Sequence, residues 1–477
     1  MKISIFFLIV LILFNGCNRE LRGIRVDAKE LDKKSHYHKK VVKKSIKTKV
    51  KLRRKAHFLD LRHKIFGTSY RASSAIKDDF IIFFKKGKKI PKSFSKVINK
   101  LRYKKYKFIN AMHIRLSSSV SKSRFLSYLR STRLSRFIKR VEPNYRYTLA
   151  RSTKYSPNPY LYYQWGINNF GQRINGISGT PKADLSLEKA WRITKGSKRV
   201  VVAILDTGVD YNHPDIRANM YNGLRHHGYD FAADNYGNND NDPMPDKPYG
   251  VNGHFHGTHV AGIIGAVANN YKGITGVSPR VKILALKVFR PNGSAYSSDI
   301  LEALDYIYKL KRSGVNIVAI NASFAGGGRE GDSVSQAIAK LGRLGVVFCT
   351  AAGNMGSNIS YQPIYPASYN VSNIITVGAS NQRDNLASFS NYGSGVDVVA
   401  PGTNILSLYP GGKYAFLNGT SMSTPYVTGL VALLASRYPR SSAIWKINRI
   451  KATVDRKSSL RGKVYSSGRV NAYRALR

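Results

Sequence analysis

The sequence predicts an α/β protein: a parallel sheet with helices on both faces, preceded by a small ferredoxin-like α+β unit. Three observations carry this reading. Beyond residue 196, short apolar β-rich runs alternate with helical stretches such as 298–312 and 333–344, the pattern of a parallel sheet covered on both sides. Residues 78–150 repeat strand–helix–strand twice in a much shorter span. Between the two lies "RSTKYSPNPYLYYQW" (151–165), with two prolines and little periodicity, which reads as a linker.

The elements follow in order. "MKISIFFLIVLILFNGCNRE" has a charged start at Lys2, an apolar core and a small-residue break at Gly16-Cys17, the layout of an export signal over 1–17. Its apolar core is shorter than the roughly 20 residues a membrane-spanning helix needs. "LFNGC" resembles a bacterial lipoprotein box, which would put lipid on Cys17; a plain secretory signal is the other reading. Residues 18–75 are polar and basic, as in "HYHKKVVKKSIKTKVKLRRK". They read as a disordered tether, with a membrane-surface amphipathic helix as the competitor.

In the 76–150 unit, "DFIIFFKKG" predicts a strand and turn, and "PKSFSKVINKLRY" a helix opened by Pro91. "KFINAMHIRL" predicts a strand, "SKSRFLSYLRST" a helix and "FIKRVEPNYRYTLA" a last strand. Residues 151–160 form the linker and 161–477 the large α/β domain. There "SKRVVVAILDTGV", "VKILALKVF", "GVNIVAINASF", "LGVVFCTAAGN" and "NIITVGAS" predict strands. Ligands of such sheets bind at the carboxyl ends of strands, where Asp206, Ser323 and Asn354 fall.

The chain has 477 residues, 78 Lys and Arg against 26 Asp and Glu, and a net charge of +52. The first 160 residues hold 43 of the basic and 8 of the acidic ones. Such charge suits nucleic acid, anionic membranes or acidic polymers. No zinc-finger, RNP-like or Walker motif accompanies it, so specific nucleic-acid binding is not expected. The two cysteines are Cys17 and Cys349. Cys349 lies in an apolar strand, so a buried thiol is expected rather than a disulfide framework.

"LNGTSMSTPY" (417–426) places Ser421 before an apolar run. A serine needs a base to become a nucleophile and a third group to orient that base. The last of the 11 histidines is His259, so the serine-first order of α/β-hydrolases is excluded. Ser423 also breaks the G-x-S-x-G elbow. The histidine candidates cluster in "GHFHGTHVAGIIG". His254, His256 and His259 form H-x-H-x-x-H, but the acidic residues of known metal-hydrolase patterns are missing. Asp206 ends an apolar run in "AILDTGVD" and supplies a candidate carboxylate, though a cap or turn residue is the bland alternative.

Taken together, "ILDTGVD", "HGTHVAG", "AAGN" and "NGTSMSTP" resemble the subtilisin-like serine proteases, in that family's order of aspartate, histidine and serine. "QWGIN" and "GRVNAYRAL" extend the resemblance over 160–477. It implies Ser421 as nucleophile, His256 as general base and acid, Asp206 as the orienting carboxylate and Asn354 as oxyanion donor. It implies substrate contacts at Gly293 and Ser294 in "PNGSAY", and at Ser323, Phe324, Ala325 and Gly326 in "NASFAGG", with a peptide added between them as a strand. Ala325 stands where glycine is common, and Ser423 and Tyr426 also depart from the family's usual residues.

"DFAADNYGNNDNDPMPD" resembles a loop that binds calcium in some of these enzymes. Asp240, Asp242 and Asp246 are the candidate ligands of a structural Ca2+, against a solvated loop; no cofactor is required for the chemistry. The 76–150 unit resembles the family's inhibitory prodomain. Cleavage is then expected between about Arg151 and Asn158, leaving tether and lipid behind. The implied partners are polypeptide substrates, the chain's own prodomain and, through lipid, a membrane. The implied place is the cell envelope or, after processing, the medium. An idle protease fold serving as a basic binding protein is the rival, as is a binder of nucleic acid or another anionic polymer. The first has no need of Asp206, His256, Ser421 and Asn354 together.

Overall fold

The computed structural model describes residues 75–85, 94, 101–116, 121–130, 132–149, 161–223, 226–232 and 239–477. The signal with Cys17, most of the tether and the 151–160 linker lie outside the described residues, as do residues 91–93 and 95–100 of the helix expected to begin at Pro91. Among the described residues no helix is long and apolar enough to cross a membrane.

The amino-terminal unit has strands β1 (Ala75–Phe84), β2 (Arg102–Tyr106), β3 (Ala111–Arg115) and β4 (Ile138–Leu149), with helices α1 (Lys122–Leu129) and α2 (Thr132–Ser135) before β4. The antiparallel order is β4-β1-β3-β2, which is ferredoxin-like. One expectation is corrected: 102–106 is a strand and not the end of a helix. "RYKKY" has no clean apolar alternation because β2 is an edge strand, where charged residues are usual.

Alternation explains the apolar run of β1. Phe80, Ile82 and Phe84 face the unit's own core with Phe125 and Leu129 of α1. Ile81 and Phe83 face the other way, into a core shared with Leu301, Leu304 and Ile338 of the large domain.

The large domain has a nine-stranded sheet. Its strands are β5 (Val201–Asp206), β6 (Gly228–Asp230), β7 (Lys282–Lys287), β9 (Ile317–Ala322), β11 (Val347–Ala351), β12 (Ile374–Ser380), β13 (Val398–Pro401), β16 (Asp455–Arg456) and β17 (Gly468–Arg469). The order is β16-β17-β13-β12-β11-β9-β5-β7-β6, and only the β16–β17 pair is antiparallel. The short strands β8 (Ser294–Tyr296) and β10 (Phe324–Gly326) lie off this sheet, and β14 (Ile405–Tyr409) and β15 (Lys413–Leu417) form a hairpin.

Strands β5, β9, β11 and β12 are buried along their whole lengths, which is why they read as unbroken apolar runs. Helices α4 (His256–Gly265) and α7 (Thr420–Arg437) cover one face, in the core with Val202, Ile204 and Cys349, which the short helix α3 (Leu187–Ala190) joins through Leu187 and Ala190. Helices α5 (Ser297–Arg312) and α6 (Ser333–Gly342) cover the other, with Ala203 and Leu205. Cys349 is a free, buried thiol pushed up to about 12 by burial, as its strand context predicts.

Candidate active site

Ser421 is the second residue of α7. The chain enters this helix through Gly419, whose φ of +148° few other residues adopt. Pro425 lies four residues on and has no N–H, so it leaves the Ser421 carbonyl without its helical donor. The Ser323 hydroxyl donates to that carbonyl at 2.9 Å, and the Ser421 hydroxyl donates back to the Ser323 carbonyl at 3.0 Å. This reciprocal pair ties the nucleophile turn to the residue that immediately precedes β10.

His256 opens α4, and its Nδ1 lies 2.8 and 3.0 Å from the two carboxylate oxygens of Asp206, the last residue of β5. Both residues are buried. Asp206 also accepts from the Thr207 N–H at 2.8 Å, and the Thr207 hydroxyl accepts from the Gly257 N–H at 3.0 Å. Gly257 is required here, because a Cβ would stand 2.2 Å from the Gly208 carbonyl oxygen. This packing holds the start of α4 against the end of β5. His256 Nε2 is buried with no hydrogen-bond partner.

Asn354 follows β11. Its Oδ1 accepts from the N–H and the hydroxyl of Thr420, each at 2.9 Å. A backbone N–H can only donate, so the atom facing it is the amide oxygen and the NH2 points away. That Nδ2 is buried and unpartnered. Buried polar atoms are nearly always paired, so an unpartnered nitrogen on the ring that Asp206 holds, and an amide donor without an acceptor beside Thr420 and Ser421, point to a site built for a reacting group.

The other two histidines of H-x-H-x-x-H face elsewhere. His254 Nε2 lies 3.0 Å from the Pro291 carbonyl oxygen. His259 Nε2 lies 3.0 Å from that of Ala415, and burial pushes its pKa down to about 3. The three rings do not share a ligand.

The expected substrate edges flank β4. Its end pairs antiparallel with β8 (Ser294 opposite Thr148, Ala295 opposite Tyr147) and with β10 (Phe324 opposite Leu149, Ala325 opposite Thr148, Gly326 opposite Tyr147). Gly293 sits in the turn before β8, with its N–H on the Arg290 carbonyl at 2.8 Å. Ser323 lies one residue before β10.

Among the described residues of the acidic loop, the carboxylates turn to protein partners and form no multi-oxygen cage of the kind calcium takes. Asp240 Oδ1 accepts from the Asp242 N–H, and Asp242 Oδ1 from the Tyr211 hydroxyl and the Met244 N–H. Asp246 faces Lys287 Nζ at 3.3 Å and His254 Nδ1 at 3.5 Å. The buried Lys287 ammonium also reaches Asp230 at 2.6 Å, so a fixed cation already stands among these carboxylates. Among the described residues no group of three or more His, Cys, Asp or Glu is placed to hold a metal. Residues 233–238 of the loop lie outside them.

Sequence reasoning missed Glu142 and Asn144. The Ser333 N–H at the start of α6 donates to Glu142 Oε1 at 2.8 Å, and the Ser298 N–H in the first turn of α5 donates to Asn144 Oδ1 at 2.9 Å. One signal was available: Glu142 is the only carboxylate between Asp79 and Asp184.

The fold and the order Asp206, His256, Ser421 define a class, the subtilisin-like serine endopeptidases. The model of the subtilase family (peptidase S8) matches residues 197–471, and the chain belongs to this family. It is 39% identical over 338 residues to a thermophilic serine proteinase of Bacillus sp. (strain AK1), covering 70% of this chain and 72% of that one. It is 40% identical over 289 residues to thermitase of Thermoactinomyces vulgaris, covering 60% and 92%. Among solved structures, fervidolysin from Fervidobacterium pennivorans shares the fold with a TM-score of 0.66 at 24% identity, over 86% of this chain and 62% of that one.

Proposed function

We propose that this serine endopeptidase is exported, is made as a zymogen that processes itself, and hydrolyses peptide bonds through an acyl-enzyme on Ser421. The observation that carries the reading is the pair of buried, unpartnered atoms, Asn354 Nδ2 on the residue that accepts from Thr420 beside Ser421, and His256 Nε2 on the ring that Asp206 holds. His256 takes the hydroxyl proton and later gives it to the leaving amine. Asp206 holds the ring by Nδ1 and stabilises its charged form. Asn354 Nδ2 and the backbone N–H of Ser421, at the positive end of α7, receive the negative oxygen of the tetrahedral intermediate.

Gly293, Ser294 and Ser323–Gly326 form the two edges that bind substrate backbone. The pairing of 146–149 with those edges supports the amino-terminal unit (76–150) as an intramolecular inhibitor: it lies where a substrate strand would. Its register with β8 and β10 is the product-like end of a self-cleavage. Export rests on the signal-like residues 1–17, and lipid on Cys17 is the finer form of that reading. Separation from residues 1–150 would release the enzyme from such an anchor.

Labelling with a serine-directed fluorophosphonate tests the chemistry. Processed wild type is expected to be labelled at Ser421, and Ser421→Ala not at all. A processed wild type that takes no label would overturn the reading.

A further inference from the structure

Positive charge is not confined to the front of the chain. Residues 161–477 hold 35 Lys and Arg against 18 Asp and Glu. Of these, 12 basic residues and a single acidic one, Asp455, fall in the last 41 positions, 437–477. The excess carried by the catalytic domain is thus concentrated at its carboxyl-terminal end.

The fold gathers part of this segment around an open cleft of about 790 Å3. Lys451 lines it from helix α8 (Ala443–Ala452), and Arg456 of β16, Lys457, Arg461 and Tyr465 line it from the chain between α8 and β17. Among the described residues no Asp or Glu lines it. The carboxylates nearby are already engaged. Asp397 accepts from Lys451 Nζ at 2.9 Å. Asp384 faces Lys457 Nζ at 2.8 Å and also pairs with Arg469. Asp455 faces Arg469 at 2.7 Å and Arg474 at 3.3 Å. Arg456 and Arg461 are exposed, and no carboxylate among the described residues pairs with either. Six cations therefore stand against three carboxylates, an excess of three positive charges about one concave surface. A concave wall of one sign focuses the field and draws anions into it. Lys451 Nζ also lies 4.3 Å from the centre of the exposed Tyr465 ring, so its ammonium is held in place from two sides. Ser466 lines the same cleft, and its hydroxyl oxygen has no hydrogen-bond partner.

We propose that this cleft binds a phosphate-bearing polymer of the cell envelope, by its charge and not by its sequence. The two cations without a carboxylate are both arginines, whose planar forks take phosphate oxygens two at a time. The cleft is open and carries charge from both sides, which suits a running chain with repeated charges better than one small anion. It is built at the β16–β17 edge and shares no residue with the site around Ser421. The basic residues 18–75 would leave with the proposed processing, whereas this cleft belongs to the catalytic domain. It would hold the processed protease at the surface that it meets on export.

The full chain carrying Ser421→Ala is treated with phenylglyoxal, which modifies guanidinium groups, with and without inorganic polyphosphate. Peptide mass reads the extent at each arginine. With the polymer at about ten times its Kd, Arg456 and Arg461 are expected to react about tenfold more slowly. The exposed Arg217, whose segment contacts β7, should change little. Unchanged reaction of Arg456 and Arg461 overturns the proposal. Equal protection by polyglutamate would assign the cleft to acidic polypeptides and overturn the choice of phosphate.

Paired variants then separate the cleft from net charge. Arg456→Gln with Arg461→Gln is compared with Lys189→Gln and Arg217→Gln, which remove the same charge from exposed positions elsewhere. The basic tether adds equally to both. The first pair should weaken polyphosphate binding about tenfold and lower the slope of log affinity against log salt by about one to two. The second pair should weaken binding less than about twofold. With Ser421 restored, both pairs should keep the wild-type kcat/KM on a soluble peptide. Equal losses from the two pairs would show a general attraction of net charge and overturn the site.

Discussion

Glu142 of the amino-terminal sheet accepts a hydrogen bond from the Ser333 backbone N–H at 2.8 Å, capping a helix of the catalytic domain. The carboxylate is buried, and Asp332, the N-cap of α6, lies close by with its Oδ2 accepting from the Tyr369 hydroxyl at 2.6 Å. Arg140 Nη2, at 3.4 Å from Oε2, offsets this only in part. Burial and then the Asp332 charge push Glu142 up to about 7, from an ordinary 4.5.

A group whose pKa rises on docking favours the docked state at low pH. The contribution is complete below the undocked value and is lost as pH climbs through about 7. In Ser421→Ala, which the proposed self-processing would leave uncut, tryptic digestion of the amino-terminal unit should speed up about tenfold between pH 6 and 8.5, corrected for trypsin's own profile. Adding Glu142→Gln should flatten that dependence. A pH-independent rate in the uncut chain would show that Glu142 does not set docking.

Asn354 has its oxygen engaged by Thr420 and its nitrogen free. In the proposed oxyanion role it would contribute chiefly where negative charge develops. Asn354→Ala should lower kcat by about 10²–10³-fold with KM nearly unchanged. The lost cap on the Thr420 N–H should cost about 1 kcal/mol of stability. Steady-state kinetics on one peptide, with a urea midpoint, separates the two. A rise in KM at constant kcat would assign Asn354 to ground-state binding instead.

The large sheet was legible because β5, β9, β11 and β12 are buried on both faces and so carry their signal in every residue. The order of Asp206, His256 and Ser421 was legible because no histidine follows residue 259. What the sequence hid depends on tertiary placement. Strand β2 is an edge whose lysines reveal no core face. Glu142 and Asn144 act on helices that begin about 150 or more residues later in the chain. Ser323 meets the Ser421 carbonyl only because Pro425 leaves it free. The acidic run 230–246 suggested a metal, and the lysine that answers its charge lies on β7, 41 residues beyond Asp246.

That lysine gives the last prediction. Lys287 is buried, with its ammonium 2.6 Å from Asp230 and 3.3 Å from Asp246. Burial raises the pKa of Asp230 even with the ammonium beside it. Lys287→Met keeps the length of the stem but removes the charge, leaving carboxylates with no cation in a poorly solvated site. Breaking such a pair by deleting one partner costs about 3–5 kcal/mol; at the partly exposed Asp246 some of that is screened, so about 2–3 kcal/mol is expected. The sign with pH follows from the carboxylates. At low pH Asp230, whose pKa burial raises, takes up a proton and the missing ammonium matters less, so the urea midpoints of variant and wild type should converge. Toward pH 8 Asp230 must ionise without the ammonium and the midpoints should separate. Asp246 also faces His254 at 3.5 Å, and the Pro291 carbonyl that His254 meets leads into β8. Lys287→Met should therefore also raise KM for a peptide substrate, by a few-fold on the order of 1 kcal/mol. A variant as stable as wild type at pH 8 would mean that Asp230 and Asp246 find another cation when the lysine is gone.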